Sequence, residues 1–196
     1  CLSSVITYKH QPDTPRIAIL NRGRTRHITN IPEVIDALSA MNVSIETIDF
    51  DAGCNMRSTA ELVKDVDVLI APFGNGLGAG LFMKKDAVLI SIASRWYNED
   101  WFKWPMTAVG RRIYNFECRN AICQEYDRSF LTSILDQYNL KLNETEIQAL
   151  LTQEYPIELL SKYIPGRERE MIEQYYKDVR RRIDVKSFIP FLKDIL

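Results

Sequence analysis

No stretch of 18 consecutive apolar residues occurs anywhere in the 196-residue chain, so no segment is expected to cross a membrane as a helix. Net charge is also scarce: 25 basic side chains stand against 26 acidic ones, leaving −1 at pH 7. Without a global basic field, nucleic acid and anionic membrane surfaces are not expected partners. GxxxxGK[ST], GxSxG and HExxH are all absent, which removes the P-loop, serine-hydrolase and zincin readings. The cysteines, Cys1, Cys54, Cys118 and Cys123, form no CxxC and no zinc spacing, so a metal site is not expected. Cys118 and Cys123 either pair in an oxidising compartment or stay as thiols, and both readings are open. Internal repeats and low-complexity tracts are lacking. The opening Cys1, with no charged-then-apolar leader behind it, is read as the start of a fragment or a processed product.

What is present is a globular composition, 46% hydrophobic and 26% charged, in a chain long enough for one core and an appendage. Four of its eight glycines, Gly74, Gly76, Gly78 and Gly80, fall within seven residues. They follow Val66–Phe73, an apolar, β-branched run that reads as a buried parallel strand, and precede the helix-permissive Leu81–Met83. Strand, glycine loop and helix together present backbone N–H groups to an anion. The competing reading is a tight turn packed against a neighbouring element. The density of glycines at a strand's carboxyl end favours the ligand loop.

Residues 1–15, with Pro12 and Pro15, read as an irregular linker. Arg16–Asn21 is a strand, and Asn21–His27 is a strongly basic loop. Thr29 or Asn30 then caps a helix with Pro32 near its first position and Val34, Ile35, Leu38 and Met41 as its apolar stripe. Val43–Phe50 is a second strand, Ser58 caps a short helix, 66–72 is a third strand, and Asp86–Ile92 a fourth. Alternating strands and helices imply an α/β fold, a Rossmann-like parallel sheet over 16–95 with right-handed crossovers. Residues 96–126 read as an aromatic-rich irregular connection and 127–196 as a helical C-terminal region. Within it, Asn143 and Glu146 form a capping box, and a last helix over 167–183 ends in the solvated run Arg180–Arg182.

In such a sheet the basic loop and the glycine loop share the carboxyl edge. Arg22, Arg24 and Arg26 are therefore expected to face the glycine loop, where guanidinium forks and backbone N–H groups suit a diphosphate. Gly74–Ala79 also satisfies the dinucleotide fingerprint G-x-G-x-x-G/A, with Ser94 and Arg95 placed for a 2′-phosphate, which makes an NADP-binding oxidoreductase the alternative. Its position after the third strand, with only a short helix behind it, counts against that alternative.

The set Arg22-x-x-x-Arg26-x-Ile28-x-Asn30-x-x-Glu33-Val34, then Thr59-Ala-Glu61, then Asp67–Leu77 resembles glycosyltransferase family 61 over about residues 16–95. That family includes EGF-domain and dystroglycan O-GlcNAc transferases and plant xylosyl- and arabinosyltransferases. The resemblance implies the donor-binding, C-terminal half of a two-domain GT-B enzyme, inverting, metal-independent and without a bound cofactor. It would bind a UDP-sugar, act on a hydroxyl of a protein or glycan acceptor, pair with an N-terminal half, and reside in the Golgi or endoplasmic reticulum lumen. Arg22 and Arg26 would hold the diphosphate and stabilise the leaving group. Phe73, Gly74, Asn75, Gly76, Leu77 and Gly78 would bind phosphate or the donor sugar, with Asn30 opening the helix and Glu61 near the nucleotide. Two departures stand out: Phe73 replaces the family's His, and Gly78-Ala79 replaces Thr-Asn. A Phe ring neither donates to phosphate nor shuttles a proton, so a degenerate, non-catalytic binding module is a further alternative. No residue is assigned as catalytic base.

Overall fold

Short runs of Ile, Val and Leu, buried on both faces, build the centre of the protein, as a parallel sheet covered on two sides requires. The computed structural model describes residues 2–6, 14–93, 100–117, 128–152, 170, 174 and 177–196. Six strands, β1 (Leu2–Ile6), β2 (Arg16–Asn21), β3 (Ser44–Asp49), β4 (Val68–Pro72), β5 (Val88–Ala93) and β6 (Arg112–Glu117), form one sheet in the order β1-β3-β2-β4-β5-β6. β2 to β6 run parallel, and β1 lies antiparallel on the outer edge of β3, Leu2 opposite Asp49 and Ile6 opposite Ile45. In chain order the parallel strands are arranged 2-1-3-4-5, a doubly wound, Rossmann-like topology.

The period-2 pleat sorts the core into two layers. Ile17, Ile19, Ile70 and Ile90 face α1 (Ile31–Ser39), which contributes Val34 and Leu38, and α6 (Val185–Ile195), which contributes Phe188 and Leu192. Ala18, Leu20, Leu69 and Leu89 face the other way. There they meet Val63 of α2 (Met56–Val63), Leu77 of a 3₁₀ helix (Asn75–Phe82) and Met106 of α3 (Asp100–Ala108). Two further helices, α4 (Arg128–Gln137) and α5 (Glu144–Thr152), follow the sheet. Among the described residues no helix is long and apolar enough to cross a membrane.

Several local expectations give way to longer-range pairing. Residues 2–6, read as part of a linker, form β1 because the open edge of β3 offers them a ladder. The stretch read as an irregular connection contains α3 and β6, the latter paired with β5 from Val88↔Arg112 to Ala93↔Glu117. α2 is capped by Asn55, not Ser58: the Asn55 side chain accepts from the Ser58 N–H at 2.9 Å, and the Ser58 hydroxyl accepts from the Asn55 N–H at 3.1 Å. The glycine run is itself helical, as a 3₁₀ helix, rather than a loop before a helix. Arg181 is not a solvated helix end; it is 3% exposed and forms a bridge with Ile28, and the chain re-enters a helix only at Val185, where the Asp184 side chain accepts from the Lys186 N–H. The Asn143–Glu146 capping box is present, its two reciprocal bonds both 3.0 Å. Cys54, in the loop after β3, is disulfide-bonded. Cys1, Ser94, Arg95, Trp96, Tyr97, Cys118, Cys123 and most of 167–176 lie outside the described residues.

Candidate functional site

In a 2-1-3-4-5 sheet the first and third parallel strands are neighbours whose following connections depart to opposite faces, which opens a crevice at their carboxyl ends. Here those strands are β2 and β4, and the chain that leaves them is the basic loop 22–27 and Phe73-Gly74. The basic loop has a fixed shape. Asn21, the last residue of β2, closes it by accepting from the Ile28 N–H at 2.9 Å and donating to the Ile28 carbonyl at 3.2 Å. Gly23 N–H donates to Asp51 Oδ2 at 2.8 Å, and the His27 Nδ1–H donates to the Arg22 carbonyl at 2.6 Å.

Arg26 is the basic residue that meets the glycine segment. Its backbone is left-handed, φ +58°, a sparsely populated conformation for a side-chain-bearing residue and one that persists only where its surroundings enforce it. The enforcement comes from Asp178: the Arg26 N–H donates to the Asp178 carbonyl at 3.0 Å, and Nε donates to its carboxylate at 2.9 Å. The guanidinium then lies 5.6 Å from the Phe73 ring centroid, with Nη1 3.5 Å from the Phe73 carbonyl. A second guanidinium, that of buried Arg181, lies 5.7 Å from the same ring. Both distances are in the cation–π range. Phe73 is thus a buried ring within cation–π reach of two arginines.

The glycines divide by role. Gly74 has φ +127° and ψ −168°, a region open essentially to glycine, and a Cβ there would run into the Arg26 guanidinium. Gly76 and Gly80 are needed for packing: a Cβ would come within 3.2 Å of Leu20 and 2.9 Å of Leu89, so the 3₁₀ helix lies directly on the sheet. Gly78 has only an ordinary contact with Phe102 at 3.9 Å. One substitution pair separates these roles. Gly74→Ala costs about 1–3 kcal/mol through its backbone and also displaces Arg26. Gly80→Ala costs a similar about 1–3 kcal/mol by overpacking and leaves ligand affinity alone. Urea denaturation and ligand titration on both variants check this; equal ligand affinity in the two would remove Gly74 from the site.

The remaining expected site residues scatter. Arg22 turns to the other neighbour of β2, its Nε 3.7 Å from Asp51 beyond β3, rather than facing the glycine segment. Arg24 lines a cavity of about 300 Å³ with Thr25, Ser129, Ser133, Asp178 and Arg180. Asn30 does not cap α1 with its side chain. It is buried, donating to the Ile183 carbonyl at 2.8 Å and accepting from the Ile183 N–H at 2.9 Å. Glu61 is exposed on α2 and pairs with Lys64 at 2.7 Å. Asn75 is exposed at the start of the 3₁₀ helix, and Leu77 is fully buried beneath it. A second cavity, about 330 Å³, opens at the ends of β2 and β3 between Arg22, His27, Pro32 and Thr47. Burial pushes the Glu46 carboxyl above the ordinary carboxylate range, with Arg16 pulling it down. That residue pairs with Ala18 in mid-sheet, away from these loops.

Sequence reasoning missed Arg181 and Asp178. A signal for Arg181 was available: Val179, Arg181 and Ile183 are all buried, the alternate spacing of an extended segment rather than of a helix end.

The fold and the crevice define a doubly wound α/β domain with an arginine at its switch point. Residues 2–90, a little under half of the chain, match the family model for Glycosyltransferase 61. Three rice (Oryza sativa subsp. japonica) proteins are similar to this chain. A beta-1,2-xylosyltransferase, XAX1, is 34% identical over 87 residues, 44% of this chain and 15% of its own length. An alpha-1,3-arabinosyltransferase, XAT3, is 26% identical over 192 residues, 93% of this chain and 29% of its own. A beta-1,2-xylosyltransferase, XYXT1, is 23% identical over 181 residues, 91% of this chain and 34% of its own. The chain therefore spans about a third or less of the length of these relatives. The dinucleotide reading finds no support in the geometry: the fingerprint run is a 3₁₀ helix packed through Gly76 and Gly80, not a turn opening an α-helix toward a pyrophosphate.

Proposed function

We propose that this chain is the donor-binding part of a glycosyltransferase that takes a UDP-sugar and passes the sugar, with inversion and without a metal, to a hydroxyl of a glycan or protein acceptor. The observation that carries this reading is Arg26, held by Asp178 at the crevice between β2 and β4 with Gly74 against it. Its Nε is held by Asp178 and its Nη1 lies 3.5 Å from the Phe73 carbonyl, and the remaining guanidinium edge is the one this reading offers to phosphate oxygens. During transfer the diphosphate leaves with growing negative charge, and a fixed guanidinium stabilises that charge. Rice relatives named for xylosyl and arabinosyl transfer support a pentose donor and a glycan acceptor. The disulfide at Cys54 supports an oxidising, secretory-pathway compartment.

Titration calorimetry with UDP and with NADPH tests the donor site. UDP binding that weakens as salt rises, with no NADPH binding, is the expected result. NADPH binding without UDP binding overturns it. A second reading, a non-catalytic binding module, is favoured by Phe73 in place of His. Sugar transfer by the wild-type protein, with no gain from Phe73→His, eliminates that module.

A further inference from the structure

We infer that Arg181 is a positioning residue for the phosphate-binding Arg26, and that the C-terminal segment 177–183 is a built part of the donor site. This rests on the donor-site reading above.

Three observations converge. First, Arg181 is 3% exposed, and its guanidinium is satisfied largely by its own segment, Nη1 donating to the Val179 carbonyl and Nη2 to the Lys177 carbonyl, both at 3.0 Å. It is thereby fixed as a rigid, charged plate, and the plate lies on Phe73 at 5.7 Å. Second, the backbone of Arg181 grips both sides of the basic loop's exit. Its N–H donates to the His27 carbonyl at 2.7 Å, and its carbonyl accepts from the Thr29 N–H at 2.8 Å. Third, the same segment supplies Asp178, which fixes both the backbone and the Nε of Arg26. Arg26 and Arg181 thus approach one aromatic ring, Arg26 held by Asp178 and Arg181 by its own segment's carbonyls. Two guanidiniums drawn to one ring at the crevice suit an anionic ligand, of which a diphosphate is one class. Phe73 offers a π face to both guanidiniums, which an imidazole titrating near neutral pH would do less well. The replacement of His by Phe is then a change in how the phosphate arginine is seated.

The test is a double-mutant cycle on UDP affinity in the full chain, pairing Arg181→Met with Arg26→Ala. Arg181→Met is expected to weaken UDP binding about tenfold when Arg26 is present and less than about twofold on the Arg26→Ala background. Arg181→Lys, which keeps the charge on the ring, is expected to recover part of the loss. Equal losses in both backgrounds overturn the inference while leaving the donor site standing. Absence of UDP binding by the folded wild type overturns the donor-site reading and this inference with it. Where Arg181→Met fails to fold, Phe73→Leu, an apolar replacement that removes only the ring face, is judged by the same two-background criterion.

Discussion

Replacing Arg26 by Ala is expected to weaken UDP binding by about 10- to 100-fold, the loss of one or two charge-assisted hydrogen bonds to phosphate under the proposed donor-site reading. The same change costs folding stability about 1–3 kcal/mol, because it leaves the largely buried Asp178 carboxylate without the guanidinium that pairs it. Measuring the two effects separately is what distinguishes a ligand-facing arginine from a structural one. Arg22→Ala is the internal comparison. Its side chain leans toward Asp51 across β3 instead of toward Gly74, so its effect on UDP affinity is smaller and its removal changes the salt dependence less. Calorimetric titration at fixed ionic strength, with thermal melts of each variant alongside, checks both. A UDP affinity for Arg26→Ala within twofold of wild type would place the diphosphate elsewhere on the sheet edge.

Asn30→Ala is expected to be the more destabilising change, by about 2 to 4 kcal/mol. The Asn30 amide answers both polar groups of the Ile183 peptide in a buried setting, and it also donates to Glu33 Oε2 at 3.1 Å. Glu33 Oε2 in turn accepts from Arg182 at 2.5 Å, so one edge of α1 anchors residues 182 and 183. Alanine leaves the Ile183 N–H and carbonyl without partners in the interior. Denaturant unfolding measures the loss, and faster hydrogen exchange at the Arg181 and Ile183 amides shows where it is felt. A stability change below about 0.5 kcal/mol, together with complete loss of UDP binding, would make Asn30 a direct ligand and not a structural tie.

The central strands were legible because a strand buried on both faces must be an apolar, β-branched run, and 17–20, 68–71 and 88–92 are such runs. α1 was legible for the same reason, through the spacing of Val34, Ile35 and Leu38 and the early Pro32. The edges were not. β6 buries only Phe116 of its six residues, and β1 is decided by the vacancy beside β3 rather than by its own composition. At the site, the meeting of Arg26 with Gly74 followed from topology alone: strand ends that adjoin bring their loops together. What the sequence hid is that a motif serves two purposes. Asn30 and Glu33 belong to the same short pattern as Arg26, yet their polar atoms are spent on residues about 150 positions away. Spacing reveals that residues form a set; it does not reveal which of them touch a ligand and which hold the set in place. The glycine run misled in the same way, since two of its four members are small because the sheet lies directly beneath them.

The bond from Arg26 to Asp178 joins residues 152 apart in the chain, and this has a consequence for the order in which the molecule forms. β2, β3, β4 and β5 pair with one another over modest sequence separations as they leave the ribosome, and the sheet needs nothing beyond β6 to close its ladders. The basic loop is different: the left-handed turn at Arg26 is enforced by a residue 152 positions further along the chain. Long-range closures of this kind come late, since the chain entropy they restrict is repaid only when both partners exist. The nascent chain therefore passes through a state with a formed sheet and an unformed basic loop, whose left-handed turn waits for residues 177–183.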